Sequence, residues 1–344
     1  MSDETTAPLL SVEDLAVRFP TEDGVVNAVR GVSYTLAERE VLGIVGESGS
    51  GKSVSSMALM QLLPRTAQVE GRVLLRGRDV LRMSAAEQRS LRGRRIGMIF
   101  QDPMTALNPV YSIGDQLAET VRSHEAVSRR RALDRALEML DLVGIPQPRE
   151  RLGAYPHEFS GGMRQRVMIA MAVINNPEII IADEPTTALD VTVQAQILEK
   201  LLEVKDAVNA AIILITHDLG VVASIAQRVL VMYAGRAVEY GETAQVFRSP
   251  RMPYTAGLLG SIPTLASAGT RLRPIPGSPP SLINLPPGCP FSPRCPLRIE
   301  RCEQVEPSLT ATEQQAHTAA CHRWVDLADR EDPVSIFRNE EVGS

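Results

Sequence analysis

The sequence predicts an α/β fold: a mostly parallel sheet with an antiparallel β subdomain, a helical subdomain and a C-terminal extension rich in proline and cysteine. Three observations predict it. A glycine-rich loop, Gly46-Glu-Ser-Gly-Ser-Gly51-Lys52-Ser53, follows the apolar run Val41-Leu-Gly-Ile-Val45 and precedes a helical pattern. That is the strand–loop–helix setting of a G-x-x-x-x-G-K-[ST] phosphate loop. Apolar runs at 178–182 and 211–215 flank a helical stretch at 192–209, and this βαβ rhythm gives parallel strands covered on both faces. Residues 9–19 and 25–36 instead alternate apolar with polar, as antiparallel strands with one covered face do.

Within the loop, Gly46, Gly49 and Gly51 allow backbone N–H groups to turn inward around phosphate oxygens, where a Cβ would obstruct. The helix opening at Gly51 adds its own unpaired N–H groups and the positive end of its dipole. Only three lysines occur, Lys52, Lys200 and Lys205, and one stands where the loop requires a lysine. Gly46, Ser48, Gly49, Ser50, Gly51, Lys52 and Ser53 are therefore the first candidate binding residues.

Beyond this helix a strand is expected at 69–75 and another from Arg94 to Phe100, ending at Gln101. Helical spacing at 114–123, 128–143 and 161–175 marks a helical insertion over about residues 112–175. Val229-Leu-Val-Met-Tyr233 starts a last strand pair. Half of the 24 prolines then fall within residues 250–296, a stretch that reads as neither helix nor central strand. The expected division is a nucleotide-binding domain over 1–250, an extension over 251–330 carrying all four cysteines, and an acidic, fraying tail over 331–344.

The net charge of −5 and the lack of a basic patch with interleaved aromatics argue against a nucleic-acid partner. The opening Met1-Ser-Asp-Glu-Thr-Thr has neither the basic nor the apolar region of a signal peptide. No apolar run approaches the roughly 18 residues of a membrane span. A cytosolic location is expected, with membrane contact made through partners.

Two further motifs carry chemistry. Ile179-Ile-Ile-Ala-Asp183-Glu184 delivers two carboxylates at the C-terminal end of a buried strand, where open α/β sheets hold their ligands. Asp183 suits a Mg²⁺ shell beside the Ser53 hydroxyl, and Glu184 suits a base that orients an attacking water. Phe159-Ser160-Gly161-Gly162-Met163-Arg164-Gln165 opens a helix with Ser160 as N-cap and two glycines that expose backbone N–H groups. This is a second anion site, far in sequence from the first.

Taken with Asp183, that second site resembles the signature motif of ABC-type ATPases, and the likeness covers residues 9–245. Further family elements recur in order: Gln101 resembles the Q-loop, Ala188-Leu-Asp190 the D-loop, and His217 in Ile215-Thr-His-Asp the switch histidine. Phe19 matches the aromatic on which adenine stacks, and the insertion matches the family's helical subdomain. Singly, Phe19 also fits a core position, His217 a strand-end hydrogen-bonder and Gln101 a cap; their joint order favours the family. The resemblance implies ATP hydrolysis, with Mg²⁺ held by Ser53, Gln101 and Asp183 and catalysis by Glu184, His217 and Gln101. It also implies that two such domains face head to tail, so that Ser160, Gly161 and Gly162 of one close over ATP on the other's loop, with Asp190 also at the nucleotide.

The signature has Phe159 and Met163 where the commonest form has Leu and Gln. That variant, with Gln101-Asp-Pro-Met-Thr-Ala-Leu-Asn-Pro109 and Pro253-Tyr254-Thr255, resembles the ATPases of oligopeptide and dipeptide permeases. This implies peptide import at the cytoplasmic face of the cell (inner) membrane. The implied partners are a second, often non-identical ATPase, two transmembrane permease subunits and an extracytoplasmic solute-binding protein, with no nucleic acid. The rival reading is a soluble ABC ATPase acting on nucleic acid or ribosomes, which usually relies on long coiled coils or basic linkers.

Cys289-x₅-Cys295-x₆-Cys302-x₁₈-Cys321 lacks the paired C-x₂-C spacing of a zinc ribbon. Four thiolates on a proline-stiffened loop suit a 4Fe-4S cluster or zinc, with His317 and His322 as further zinc-capable ligands. Four reduced cysteines in a small core are the plain alternative. Resemblance to peptide-permease ATPases, some of which carry an iron–sulfur cluster in this region, implies the cluster. Serine in place of one cysteine is then expected to destabilise the extension before it alters a distant Lys52 site.

Overall fold

A computed structural model describes residues 7–187, 190–261, 274–314 and 316–337. One unit comprises residues 10–35, 41–79 and 216–344, and the other residues 1–9, 36–40 and 80–215. The first begins with the two alternating strands, β1 (Leu10–Thr21) and β2 (Gly24–Leu36), followed by β3 (Val41–Val45), which is buried at every residue. After helix Lys52–Leu59 come β4 (Gln68–Leu75) and β5 (Arg78–Asp79). Strand order β2-β1-β4-β5 makes a four-stranded sheet in which β1 and β4 run antiparallel. β1 buries Leu10 and Val12 and then Leu15 and Val17, two alternating pairs offset where its register with β4 shifts between Glu13 and Ala16.

In the other unit, β6 (Ile96–Ile99), β7 (Ile179–Asp183) and β8 (Ala211–Thr216) pair in parallel. Every residue of β7 and β8 is buried, which is why their sequences are unbroken rather than alternating. β6 stops at Ile99, so Gln101 lies two residues past the strand rather than at its end. Helices Ile113–Arg122, Arg129–Leu142 and Gly161–Val173 form the expected insertion and pack on one another. Each is capped by a serine: Ser112, Ser128 and Ser160 accept from the N–H groups of Asp115, Arg131 and Met163 at 3.2–3.3 Å. Such caps contribute about 1 kcal/mol apiece.

The first unit resumes with β9 (Arg228–Tyr233) and β10 (Arg236–Glu242). β3 pairs in parallel with β9, and β9 pairs antiparallel with β10. Two short strands of the extension, β11 (Thr310–Ala311) and β12 (Thr318–Ala319), prolong this ladder through β12 on β10. The proline-rich stretch does contain a helix, Pro253–Gly260, against expectation. Pro253 occupies its first position, where the missing N–H has no helical partner to lose and the fixed φ suits the turn. The tail also departs from the fraying expected of it. Its turn Pro333–Phe337 packs on that helix, and Ile336 joins the buried cluster of Ala256 and Leu327. Ala188 and Leu189 of the expected D-loop lie outside the described residues, as do residues 338–344.

Candidate functional site

The phosphate loop is glycine-dependent at its two ends. Gly46 has φ 154° and a Cβ there would stand 2.2 Å from the Met232 carbonyl oxygen; Gly51 has φ 98° and a Cβ there would stand 2.3 Å from that of Ala28. Backbone approaches this close exclude any side chain. Gly51 is also the N-cap of helix Lys52–Leu59, with no side chain capping it, the kind of helix N-terminus at which anions bind. Lys52 is 5% exposed and its Nζ donates to the carbonyls of Gly46 at 2.6 Å and Glu47 at 3.0 Å, spanning the loop. Ser50 Oγ is buried with no protein partner, an uncommon state for a buried hydroxyl and one that suits a loop made for a polar ligand. Ser48 and Gly49 are exposed and Ser53 is half-buried. Phe19 is half-buried on β1, the strand against which this helix packs.

Glu47, the second residue of the loop, is held from the extension. Its N–H donates to the Tyr254 hydroxyl at 2.8 Å, and its two carboxylate oxygens accept from Arg294 Nη1 at 2.6 Å and Nη2 at 2.9 Å. The extension is therefore in contact with the Lys52 loop rather than distant from it. Sequence reading missed this trio; Tyr254 stands there only as a member of a family phrase, Arg294 not at all, and no local pattern links either to residue 47.

In the other unit, Asp183 ends β7 in a buried position and Glu184 follows with φ 48°. That left-handed backbone is rare for a non-glycine residue and characteristic of functional turns. Gln101 Nε2 donates to Glu184 Oε2 at 3.0 Å, and Thr187 Oγ1 donates to the same oxygen at 2.9 Å. Two residues 83 apart in sequence are thus brought together as a pair, and Thr187 is an orienting contact that the sequence did not single out. Asp190 caps helix Val191–Val208 by accepting from the Val193 N–H at 3.0 Å. Ser160 is exposed, with Gly161 and Gly162 half-exposed behind it. Phe159, by contrast, is buried, with the Arg151 guanidinium 5.9 Å from its ring centre. His217 is exposed directly after β8.

Cys289, Cys295, Cys302 and Cys321 line one cavity together with His322. Burial pushes the Cys289 thiol up to about 11 and those of Cys295 and Cys321 up to about 12, with neighbouring cysteines adding to the shift. Among the described residues, however, no three His, Cys, Asp or Glu side chains are grouped to hold a metal ion. His317 is taken elsewhere: fully buried, its Nε2 lies 2.8 Å from Glu239 Oε1.

Comparison with known proteins agrees with this arrangement. The family model described as ABC transporter matches residues 29–187, and the one described as Oligopeptide/dipeptide transporter, C-terminal region, matches residues 238–302. The chain is 55% identical over 315 residues to the dipeptide transport ATP-binding protein of Bacillus subtilis, covering 91% of this chain and 94% of that one. It is 54% identical over 336 residues to the oligopeptide transport ATP-binding protein of Mycobacterium bovis, covering 96% of this chain; it spans only 54% of that protein's length. Among solved structures, a dimeric ATP-binding cassette in a post-hydrolysis state with ADP and phosphate matches at TM-score 0.60 and 26% identity, covering 68% of this chain and 98% of that one. Among the described residues no helix is long and apolar enough to cross a membrane.

Proposed function

Because this chain belongs to the ABC transporter family of ATP-binding proteins, in its oligopeptide/dipeptide branch, we propose that it binds and hydrolyses ATP to energise import of di- and oligopeptides through a membrane permease. The carrying observation is the joining of Gln101 to Glu184 directly behind Asp183, since an ATPase must keep its water-orienting carboxylate beside its metal-binding one. The loop amides and Lys52 hold the β- and γ-phosphates, and adenine stacks on Phe19. Glu184, aligned by Gln101 and Thr187, orients the attacking water, and His217 contacts the γ-phosphate end. Ser53, Gln101 and Asp183 supply the hard oxygen donors that Mg²⁺ prefers; when bound, the ion neutralises phosphate charge.

Ser160, Gly161, Gly162 and Asp190 act on the ATP of a second, non-identical ATPase subunit. Loss of the γ-phosphate then removes a bridging anion, and the pair opens. The pair works on two transmembrane permease subunits at the cytoplasmic face of the inner membrane, supplied by an extracytoplasmic solute-binding protein.

The four cysteines hold a 4Fe-4S cluster in this reading. Four thiols lining one cavity are the ligand set that such a cluster would take. The cluster stiffens the extension. Iron, sulfide and zinc analysis after anaerobic purification tests it: stoichiometric zinc without sulfide would make this a zinc site, and absence of both metals returns the cysteines to a plain core role. For the main reading, ATPase rate is measured alone and after assembly with the permease and peptide-loaded binding protein. Stimulation by the complex is expected; stimulation by nucleic acid or ribosomes instead would select the soluble rival.

A further inference from the structure

We infer that Arg294 is a positioning residue for the phosphate loop, and that through it the four-cysteine segment sets how tightly the loop takes a nucleotide polyphosphate. The inference rests on the reading above that this loop binds ATP. At the loop end, one residue receives every connection. Glu47 is gripped through its carboxylate by both Nη atoms of Arg294 and through its N–H by Tyr254, while its carbonyl accepts from Lys52 Nζ at 3.0 Å. A shift of Glu47 therefore shifts the lysine that is to meet phosphate. The fork of two parallel hydrogen bonds fixes orientation as well as distance.

Arg294 itself is immobilised. Its side chain is 5% exposed against 27% for Glu47, and its Nε donates to the Pro276 carbonyl at 2.9 Å. Three rings wall this site in: Tyr233 and Tyr254 lie 4.5 Å apart between centres, and Phe291 stands edge-on to Tyr233 at 5.3 Å. The guanidinium lies 5.8–5.9 Å from the centres of Phe291 and Tyr233, within cation–π range.

At the other end, Arg294 belongs to the turn Ser292–Arg294, set between two cysteines. The Ser292 N–H donates to the Cys289 carbonyl at 2.9 Å, the Cys295 N–H to that of Ser292 at 3.3 Å, and the Cys289 N–H to that of Cys302 at 2.7 Å. Three of the four cysteines are tied to this turn directly or through one further hydrogen bond. Loosening them lowers the fraction of molecules whose Glu47 and Lys52 are set for phosphate, and apparent affinity falls by that fraction. Linkage makes the effect reciprocal, so bound nucleotide protects the cysteine segment.

The test titrates a fluorescent ATP analogue with Mg²⁺ into the full-length protein and measures saturated turnover in the assembled complex. Arg294→Gln and Glu47→Gln are each expected to weaken binding about tenfold through lost pre-organisation, with the double variant no weaker than the weaker single. Arg294→Lys recovers only part, because an ammonium cannot make the fork. Saturated turnover should change by less than about twofold, since no reacting group is touched. Cys295→Ser should weaken binding in the same direction. Should Arg294→Gln fail to fold, Tyr254→Phe removes only the oxygen that accepts the Glu47 N–H and is expected to weaken binding about threefold. Additive single effects, or unchanged affinity in Tyr254→Phe or Cys295→Ser, overturn the inference. A wild-type protein that fails to bind the analogue overturns the ATP reading and the inference with it. Wild-type binding that Lys52→Ala abolishes and Arg294→Gln leaves untouched overturns the inference alone.

Discussion

Two helices of this protein open on glycine, and their N-termini are finished in opposite ways. Helix Gly161–Val173 is capped by its own neighbour, Ser160, whose side chain takes the Met163 N–H. Helix Lys52–Leu59 has left-handed Gly51 as its N-cap and no capping side chain, and the loop before it is steadied by Arg294, 247 residues away in sequence. A side-chain cap satisfies one N–H and stabilises the helix locally. Doing without a capping side chain forgoes that stabilisation, so rigidity must come from elsewhere. The N-terminus at Gly161 is self-sufficient, and its Ser160 cap is exposed. The phosphate loop is dependent and braced.

The comparison breaks most visibly at the carboxylate that neither N-terminus supplies. Glu184→Gln keeps shape and loses charge, so ATP should still be retained while phosphate release in the assembled complex falls by at least about a hundredfold. Turnover at the wild-type rate would remove Glu184 from the catalytic role. Ser160→Ala comes next. It should lower turnover of the assembled complex about tenfold, with about 1 kcal/mol lost from the helix, and leave the isolated subunit's nucleotide affinity where it was. A matching fall in the isolated subunit would mean that the signature serves its own chain's loop.

Gln101→Ala removes one donor from the Glu184 carboxylate. Permease stimulation of the ATPase should drop about threefold while nucleotide binding stays within twofold; the opposite ranking would make Gln101 a binding group. The smallest effect belongs to the self-capped helices, whose stability is a sum of minor local terms. Arg129 and then Ser112, through hydrogen bonds, hold the Asp115 carboxyl below the usual carboxylate range. A lowered value favours the folded state above the ordinary carboxylate pKa, and that contribution disappears as pH falls through the lowered one. Asp115→Asn should therefore cost less than about 1 kcal/mol at neutral pH, because the pair is largely exposed. The difference in Tm from wild type should narrow on acidification to about pH 3; a constant difference would assign the effect to lost shape rather than charge.

What the sequence made legible is what backbone geometry and periodicity dictate. Gly46 and Gly51 announce a loop because no other residue fits beside the Met232 and Ala28 carbonyls, and the apolar runs of β7 and β8 announce strands buried on both faces. The serine caps at 112 and 128 were readable by the rule applied to Ser160. Arg294 was not, because an ion pair between residues 47 and 294 leaves no periodic trace. The helix at Pro253 was misread for a specific reason: proline density was weighed without asking which helical position each proline would occupy. His317 reads as a further zinc-capable ligand because it is near the cysteines in sequence, whereas tertiary packing gives its ring to Glu239.

That last contact reaches into how such a chain can be assembled or dismantled. Glu239 lies in β10 with no exposed surface, and its carboxyl oxygens take the N–H groups of Arg251 at 2.5 Å and Met252 at 3.2 Å besides the His317 ring at 2.8 Å. Every one of those partners comes from beyond residue 250. A truncation there would strip the carboxylate of all three partners and open the β10 edge that β12 covers, and a domain held by about 5–15 kcal/mol has little margin for such a loss. A transplanted extension would meet the same demand, since its residues at 251, 252 and 317 need a β10 that presents a carboxylate at position 239.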